Sequence, residues 1–323
     1  MNLPDIEQVW KVNECNFNEL ALEIFQFQVK NNPVYAEYVS LIDKEPNSID
    51  HYSSIPFLPI SFFKTHKVIT GLFEPRQIFE SSSTTGQGLS KKYVKDLANY
   101  HGTCLRIFEN QFGNLDDYLI LGLLPNYLER GNSSLVNMVK SFMDHNEQTE
   151  GFYLYDHSKL LDRINTIEKK KILLFGVSFA LLDFAESHTI RNEITVIETG
   201  GMKGRKTEIT KDEVYQQLQN AFPNSHIHSE YGMTELTSQA YSNDSGIYRC
   251  PPWMKVTPRS DNDPLSSNAL GQTAALNIID LANLHSCSFI ATDDLGKIHE
   301  NGNFTVTGRM DHSDIRGCSL MIN

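Results

Sequence analysis

Residues 79–92 read F-E-S-S-S-T-T-G-Q-G-L-S-K-K, and the rest of the chain is interpreted outward from this stretch. Hydroxyl side chains occupy five successive positions, two glycines follow, and two lysines end the stretch. Glycine tolerates the positive φ angles of a tight loop, and successive N–H groups and hydroxyls can face one concavity that suits phosphate oxygens. Composition alone favours a solvated Ser/Gly loop, and the spacing differs from the G-x-x-x-x-G-K-[ST] phosphate loop.

The length and net charge of the chain limit the classes of protein to which it can belong. At 323 residues it can bury a large core, and this length indicates about two domains. The net charge of −12 makes it a poor partner for nucleic acid or an anionic membrane. No secretory signal and no apolar stretch of membrane-spanning length is visible. The 5 cysteines are dispersed without a C-x-x-C pair, as in reduced thiols, so a cytoplasmic protein is predicted.

Apolar runs of strand length alternate with helical patterns from residue 76 onward. The predicted strands are 77–80, 118–124, 171–175 and 194–197. The predicted helices are 94–108, 133–142, a helix that follows the turn at 176–178 and runs to about 186, and 211–222. This alternation predicts an α/β fold with layers of mostly parallel sheet and helices. Helices are also expected at 16–29 and 34–42, and a smaller β-rich part with a turn at 300–303 is expected after residue 245.

Three later motifs support a specific interpretation of residues 79–92. They are Y-G-M-T-E at 231–235, T-D-D-L-G at 292–296 and G-R-M-D-H-S-D-I-R-G at 308–317. In this order, together with the Ser/Thr-rich stretch, they resemble the adenylate-forming superfamily, which includes acyl-CoA synthetases and luciferase-like enzymes. P-P-W at 251–253 and R-G-C-S-L at 316–320 look like the acyl-protein synthetases of bacterial bioluminescence, the LuxE type. The resemblance extends from about residue 56 to the C-terminus.

The resemblance implies a role for each matching residue. Thr234 would contact the α-phosphate of ATP and Glu235 would hold Mg²⁺, a cation that prefers one or two carboxylates plus phosphate oxygens. Cys318 would carry the acyl group as a thioester. The residues expected to bind the nucleotide are Ser81, Ser82, Ser83, Thr84, Thr85, Gly86 and Lys91 for the phosphates, Gly200, Gly201, Tyr231 and Gly232 around the adenine and acyl groups, and Asp294 and Arg309 for the ribose.

The sequence also departs from the superfamily pattern. Ser83 replaces the usual glycine, and Lys91 lies later than the usual lysine of the phosphate loop. The chain ends six residues after Gly317, where acyl-CoA synthetases continue. We therefore expect a helical N-terminal segment (1–75) packing on the core, an α/β nucleotide-binding core (76–245), and a β-rich part (246–323) that completes the same catalytic domain, without a separate C-terminal lid domain.

The expected activity is ATP- and Mg²⁺-dependent activation of a carboxylic acid, expected to be a fatty acid, and transfer of the acyl group to Cys318. An acyl-CoA-reductase-like protein would then receive it. The alternatives are a phenylacetate-type CoA ligase that lacks its C-terminal domain and a non-catalytic partner protein with a nucleotide-binding fold.

Simpler interpretations of individual motifs also stay open. Y-G-M-T-E can be a helix cap, and T-G-G at 199–201 can be a plain turn. The pair His226 and His228 is a weak metal-site candidate without a third ligand, and Ser178 is a weak hydrolase candidate because G-x-S-x-G is not satisfied.

Overall fold

The computed structural model describes residues 3–81, 88–125, 131–200, 209–242, 246–261, 265–266 and 269–310. The helices of this part are α1 (Ile6–Trp10), α2 (Phe17–Asn31), α3 (Pro33–Leu41), α4 (Phe62–Thr65), α5 (Leu97–Phe112), α6 (Ser134–His145), α7 (His157–Thr166), α8 (Ser178–Ser187) and α9 (Lys211–Ala221). Short 3₁₀ turns occur at Pro46–Ser48, Tyr52–Ser54 and Leu115–Asp117. No helix among the described residues is both long enough and apolar enough to cross a membrane.

The strands follow the same order along the chain. They are β1 (Leu58–Pro59), β2 (Gln77–Glu80), β3 (Lys91–Val94), β4 (Tyr118–Leu123), β5 (Lys171–Val177), β6 (Ile194–Thr199), β7 (His226–Tyr231), β8 (Ala240–Ser242), β9 (Tyr248–Arg249), β10 (Met254–Arg259), β11 (Thr273–Asp280), β12 (Phe289–Ile298) and β13 (Phe304–Arg309).

The described strands form one large sheet and one small ribbon. The large sheet has 11 strands, ordered β10-β11-β12-β13-β9-β8-β7-β6-β5-β4, with β1 pairing with β12 outside this order. Strands β4 to β7 pair in parallel. All six side chains of β4 are buried, as expected for a parallel strand covered on both faces. The predicted α/β class is therefore confirmed.

The sheet continues from β7 through antiparallel pairs. Strands β8, β9, β13, β12, β11 and β10 are each antiparallel to their neighbours in this order, while β1 pairs in parallel with β12. The expected turn at 300–303 joins β12 and β13, and His299 N–H donates to the carbonyl of Asn303 at 2.8 Å. The part after residue 245 is thus β-rich, as predicted.

One local prediction was wrong. Residues 91–94, assigned to the end of the loop and the start of a helix, form β3, which pairs antiparallel with β2. The helix begins at Leu97 because the Asp96 side chain accepts hydrogen bonds from the N–H groups of Ala98 (2.8 Å) and Asn99 (3.2 Å). This capping satisfies donors that the first turn leaves free.

The N-terminal helices pack against the β-rich part. The Gln28 side chain in α2 is fully buried and donates to the carbonyls of Asn283 and Leu284 at 3.2 Å each. The rings of Phe25 and Tyr35 both contact Phe289 in β12. These contacts attach α2 and α3 to the sheet, while the boundaries 1–75, 76–245 and 246–323 stay a prediction.

Candidate active site

A cavity of about 340 Å³ lies beside the carboxyl ends of β6 and β7. Ligands collect at this edge in open α/β sheets, and the volume lies within the range of small-molecule sites. Its lining comes from distant parts of the chain: Ile60, Lys64, Glu80, Ser81, Ser90, Tyr100, Ser133, Ser134, Leu135, Met138, Thr199, Gly200, Glu230, Gly232, Met233, Thr234, Glu235, Gln239, Asp293 and Arg309.

The loop 232–239 follows β7 and carries Thr234 and Glu235 to the cavity. It leads into the antiparallel strand β8, so the helix-cap interpretation of Y-G-M-T-E is wrong. Asp280, fully buried at the end of β11, accepts hydrogen bonds from Thr237 N–H at 2.8 Å and Ser238 N–H at 2.9 Å. The Asn283 side chain donates to the Glu235 carbonyl at 2.9 Å. The loop is thus held by polar groups more than 40 residues away.

Glu235 is the buried carboxylate of this loop. Only 4% of its surface is exposed, yet its side chain borders the cavity. Burial raises its pKa, and a hydrogen bond with the Ser90 side chain opposes that rise. A nearby cation would therefore stabilise its ionised form. Thr234 is half-buried beside it, with its hydroxyl side chain in the same lining.

The two ends of the Ser/Thr-rich loop meet at the cavity. Ser81 N–H donates to the Ser90 carbonyl at 3.0 Å, and Ser90 N–H donates to Ser81 Oγ at 3.0 Å. These paired bonds close the base of the loop, because each serine satisfies a backbone group of the other. The predicted phosphate-binding residues between them lie outside the described part of the chain: Ser82, Ser83, Thr84, Thr85 and Gly86.

The two lysines of the loop point in opposite directions because successive side chains alternate along β3. Lys91 lies at the surface, 3.3 Å from Glu80, and is not among the described residues that line the cavity. Lys92 is 4% exposed and donates to Thr237 Oγ1 at 2.6 Å. Burial lowers its pKa to about 8. The phosphate contact of Lys91 stays a prediction, and Lys64 is the lysine of the lining.

The predicted ribose-binding pair is assembled across β12 and β13. Asp294 accepts a hydrogen bond from Tyr231 Oη at 2.8 Å and another from Arg309 Nε at 3.1 Å. Asp294 is 8% exposed, and the neighbouring Asp293 borders the cavity together with Arg309. The structure therefore joins Tyr231, Asp294 and Arg309 in one cluster at the cavity wall. Their contact with a ribose stays a prediction.

Gly200 follows β6 with φ of +78°, a conformation that favours glycine, and it borders the cavity. Both the turn and the adenine interpretations are compatible with this position. Gly201 and Cys318 lie outside the described residues. Gly232 borders the cavity, and a Cβ there would lie 2.6 Å from Glu230 Oε1, so a larger residue would force the Glu230 carboxyl to move.

The weak catalytic and metal candidates have other roles. Ser178 donates to the Glu198 carboxylate and, at 2.8 Å, to the Gly200 carbonyl, so it supports the turn after β6. His228 Nδ1 lies 2.8 Å from the Ser242 carbonyl. The described residues contain no cluster of three or more His, Cys, Asp or Glu side chains suited to a metal.

Several cavity residues were missed by sequence reasoning. Glu230 and Gln239 belong to no motif of the resemblance, and neither Ser90, which lies within the 79–92 stretch, nor Lys64 was assigned a role. Glu230 could have been found from its position, since it immediately precedes Tyr231 of the Y-G-M-T-E motif.

No protein-family model matches this chain, and neither does any curated protein. Solved structures do match. ATP-bound MatB from Rhodopseudomonas palustris is similar with a TM-score of 0.55 and 16% identity over 72% of this chain and 47% of the other. The O-succinylbenzoate coenzyme A synthetase of Bacillus subtilis, in complex with AMP, gives a TM-score of 0.53 and 16% identity over 72% and 49%.

A 2-hydroxyisobutyryl-CoA ligase, in complex with 2-HIB-AMP and CoA, matches over more of the chain. The TM-score is 0.68 and the identity 10%, over 96% of this chain and 75% of that one. The chain thus has the fold of adenylate-forming enzymes, while spanning about half the length of the first two neighbours.

Proposed function

We propose that this protein activates a carboxylic acid with ATP to give an acyl-adenylate and pyrophosphate. The observation that carries the proposal is that the predicted phosphate, metal and ribose motifs converge on one cavity, through Ser81, Thr234, Glu235 and Arg309. These residues come from three separate segments, so only a folded site explains their proximity. The fold shared with ATP- and AMP-bound enzymes supports the same activity.

In the proposed reaction, a carboxylate oxygen of the acid attacks the α-phosphorus, and the bond from that phosphorus to pyrophosphate breaks. The Thr234 hydroxyl donates to an α-phosphate oxygen, and Arg309 orients the nucleotide. Positioned donors and charges of this kind stabilise the transition state more than the bound substrates.

Glu235 is the residue proposed to hold Mg²⁺. A buried carboxylate bordering a cavity that would take phosphates fits this cation, which uses one or two carboxylates and phosphate oxygens. The raised pKa of Glu235 supports this assignment, because a bound cation would relieve the cost of its buried charge. The ion would supply charge neutralisation on the phosphate oxygens.

The proposal predicts carboxylate-dependent exchange of labelled pyrophosphate into ATP. We expect exchange only when the acid, ATP and Mg²⁺ are all present, because the adenylation step is reversible and uses each of them. The measurement is incorporation of label into ATP across short, long and aromatic acids, with EDTA as the control. A folded protein that shows no exchange with any acid of this panel contradicts the proposal.

We further propose transfer of the acyl group to Cys318: the thiolate attacks the acyl carbon and AMP leaves. The other cysteines support this choice. Burial raises the pKa of Cys104, Cys250 and Cys287 to about 12 each, so few of these thiols are ionised at neutral pH. Cys15 is exposed and is the natural control. The acceptor that follows would be an acyl-CoA-reductase-like protein.

This transfer predicts a thioester on Cys318. After incubation with labelled acid and Mg-ATP, Cys318→Ser should lose all label that neutral hydroxylamine releases and keep pyrophosphate exchange. Cys15→Ser should keep both. Intact-mass analysis identifies the modified chain. Full labelling of Cys318→Ser would place the acyl group elsewhere.

A second candidate is an acyl-CoA ligase of the phenylacetate type, in which free CoA accepts the acyl group. The match over 96% of this chain to a structure that contains CoA favours it. Formation of acyl-CoA only when free CoA is added would identify this activity. Failure to bind ATP would instead indicate a non-catalytic protein. A cytoplasmic location stays a proposal based on the dispersed cysteines.

A further inference from the structure

Strand β7 carries two neighbouring residues to opposite faces of the sheet. Tyr231 points to the face that holds Asp294, at 2.8 Å. Side chains alternate along a strand, so Glu230 points to the other face together with His228. The His228 ring packs against Phe112 of α5, which identifies this second face as the one covered by α5. Glu230 thus borders the cavity from the side away from the predicted ribose contacts.

The Glu230 carboxyl has one oxygen without a partner. Its Oε2 atom is shielded from solvent and forms no hydrogen bond with the described residues. A hydrogen bond with the Thr199 side chain favours the ionised form of Glu230, and the negative charge of Glu198 acts against ionisation. Burial is the largest effect and raises the pKa of Glu230 to about 7. Burying a carboxyl oxygen in this position costs free energy unless a hydrogen-bond donor pairs with it.

A second unpaired acceptor belongs to Gln239, another residue of the cavity lining. It is 5% exposed, and its Nε2 donates to the Thr237 carbonyl at 3.0 Å. Its Oε1 atom is shielded and has no hydrogen-bond partner in the described part of the chain. Buried polar groups are almost always paired, so two unpaired acceptors in one cavity lining indicate a missing donor. Apolar side chains of Ile60, Leu135 and Met138 complete the lining.

We infer that the acid substrate carries a hydrogen-bond donor, a hydroxyl or amino group, on the part remote from its reacting carboxyl, and that Glu230 and Gln239 receive this donor. The inference rests on the proposed function. It narrows the substrate from an unsubstituted fatty acid to a hydroxy or amino acid, because a plain alkyl chain would leave both acceptors unpaired. The apolar side chains of the lining would contact the carbon skeleton.

The test is binding of matched acids without ATP, by titration calorimetry. Each pair differs by a donor and a methyl group: 6-hydroxyhexanoate and 6-aminohexanoate against heptanoate, with shorter and longer homologues, and 4-hydroxyphenylacetate against 4-methylphenylacetate. We expect at least one donor-bearing acid to bind about tenfold or more tightly than its methyl partner. Comparing the affinities of the hydroxy acids with those of the amino acids identifies which donor the site binds.

Substitutions test whether Glu230 and Gln239 cause the preference for donor-bearing acids. Glu230→Leu should abolish it and Gln239→Leu should reduce it, with unchanged ATP binding. Glu230→Gln, which keeps the shape, serves where the leucine variant unfolds, and it should weaken binding of the amino acid more than of the hydroxy acid. Equal binding within every pair, or binding of no acid, overturns the inference. Weakened ATP binding in Glu230→Leu also overturns it, since the donor would then be on the nucleotide. A donor preference without pyrophosphate exchange would instead count against the proposed function alone.

Discussion

Glu235→Gln is expected to lower the rate of pyrophosphate exchange about 10²–10³-fold, the effect of losing one strong electrostatic contact to the transition state. The amide has the shape of the carboxylate but not its charge, so it would hold Mg²⁺ poorly. Because burial raises the pKa of Glu235, its charge is disfavoured in the folded chain. The free energy of unfolding should therefore be unchanged or slightly higher in this variant.

The matched control is Asp294→Asn, another exchange of carboxylate for amide at the cavity wall. Asp294 contacts Tyr231 and Arg309, and its proposed ligand is the ribose. A ribose contact is made equally in the bound substrate and the transition state, so this change should raise the KM for ATP with little effect on kcat. Steady-state kinetics at several Mg²⁺ concentrations separate the two variants. Wild-type exchange in Glu235→Gln would show that the metal assignment is wrong.

Asp280→Ala is expected to destabilise the fold by about 3–5 kcal/mol, because several buried donors lose a charged acceptor at once. The Asp280 carboxylate accepts from Thr237 N–H, Ser238 N–H and Ala282 N–H, and from Ser238 Oγ at 2.7 Å. The Trp253 indole N–H in turn donates to Ser238 Oγ at 2.9 Å. The free energy of unfolding from urea denaturation measures the effect.

The control for this second variant is Asp162→Ala, which removes an exposed carboxylate from α7 and should change stability very little. Asp280 is a positioning residue, since the segment that it anchors includes Glu235. Where Asp280→Asn folds, it should therefore lower kcat more than it raises the KM for ATP. A destabilisation of Asp280→Ala below about 1 kcal/mol would contradict the anchoring role, because even one lost buried hydrogen bond costs that much.

The sequence by itself determined the α/β class, and its motifs predicted where along the chain the candidate site lies. The continuous apolar run of β4 and the helical spacing of apolar residues in α2 are local patterns. Each predicts a strand or a helix without information from the rest of the molecule. The order of the motifs likewise located Ser81, Thr234 and Glu235, which the structure brings to one cavity. The elements are predictable because short-range periodicity and residue type specify them, whereas the site residues follow from the resemblance of the motifs to a known superfamily.

The tertiary structure alone decided which polar groups the cavity presents. Pairing of β2 with β3 sets the register that turns Lys91 outward and Lys92 inward. The Asp280 carboxylate holds the loop of Glu235 from another strand, and Glu230 and Gln239, each with an unpaired side-chain oxygen, belong to one cavity lining. None of this follows from local pattern, because hydrogen bonds between residues distant in sequence depend on how the elements pack. Burial, which packing determines, is also what raises the pKa values of Glu230 and Glu235.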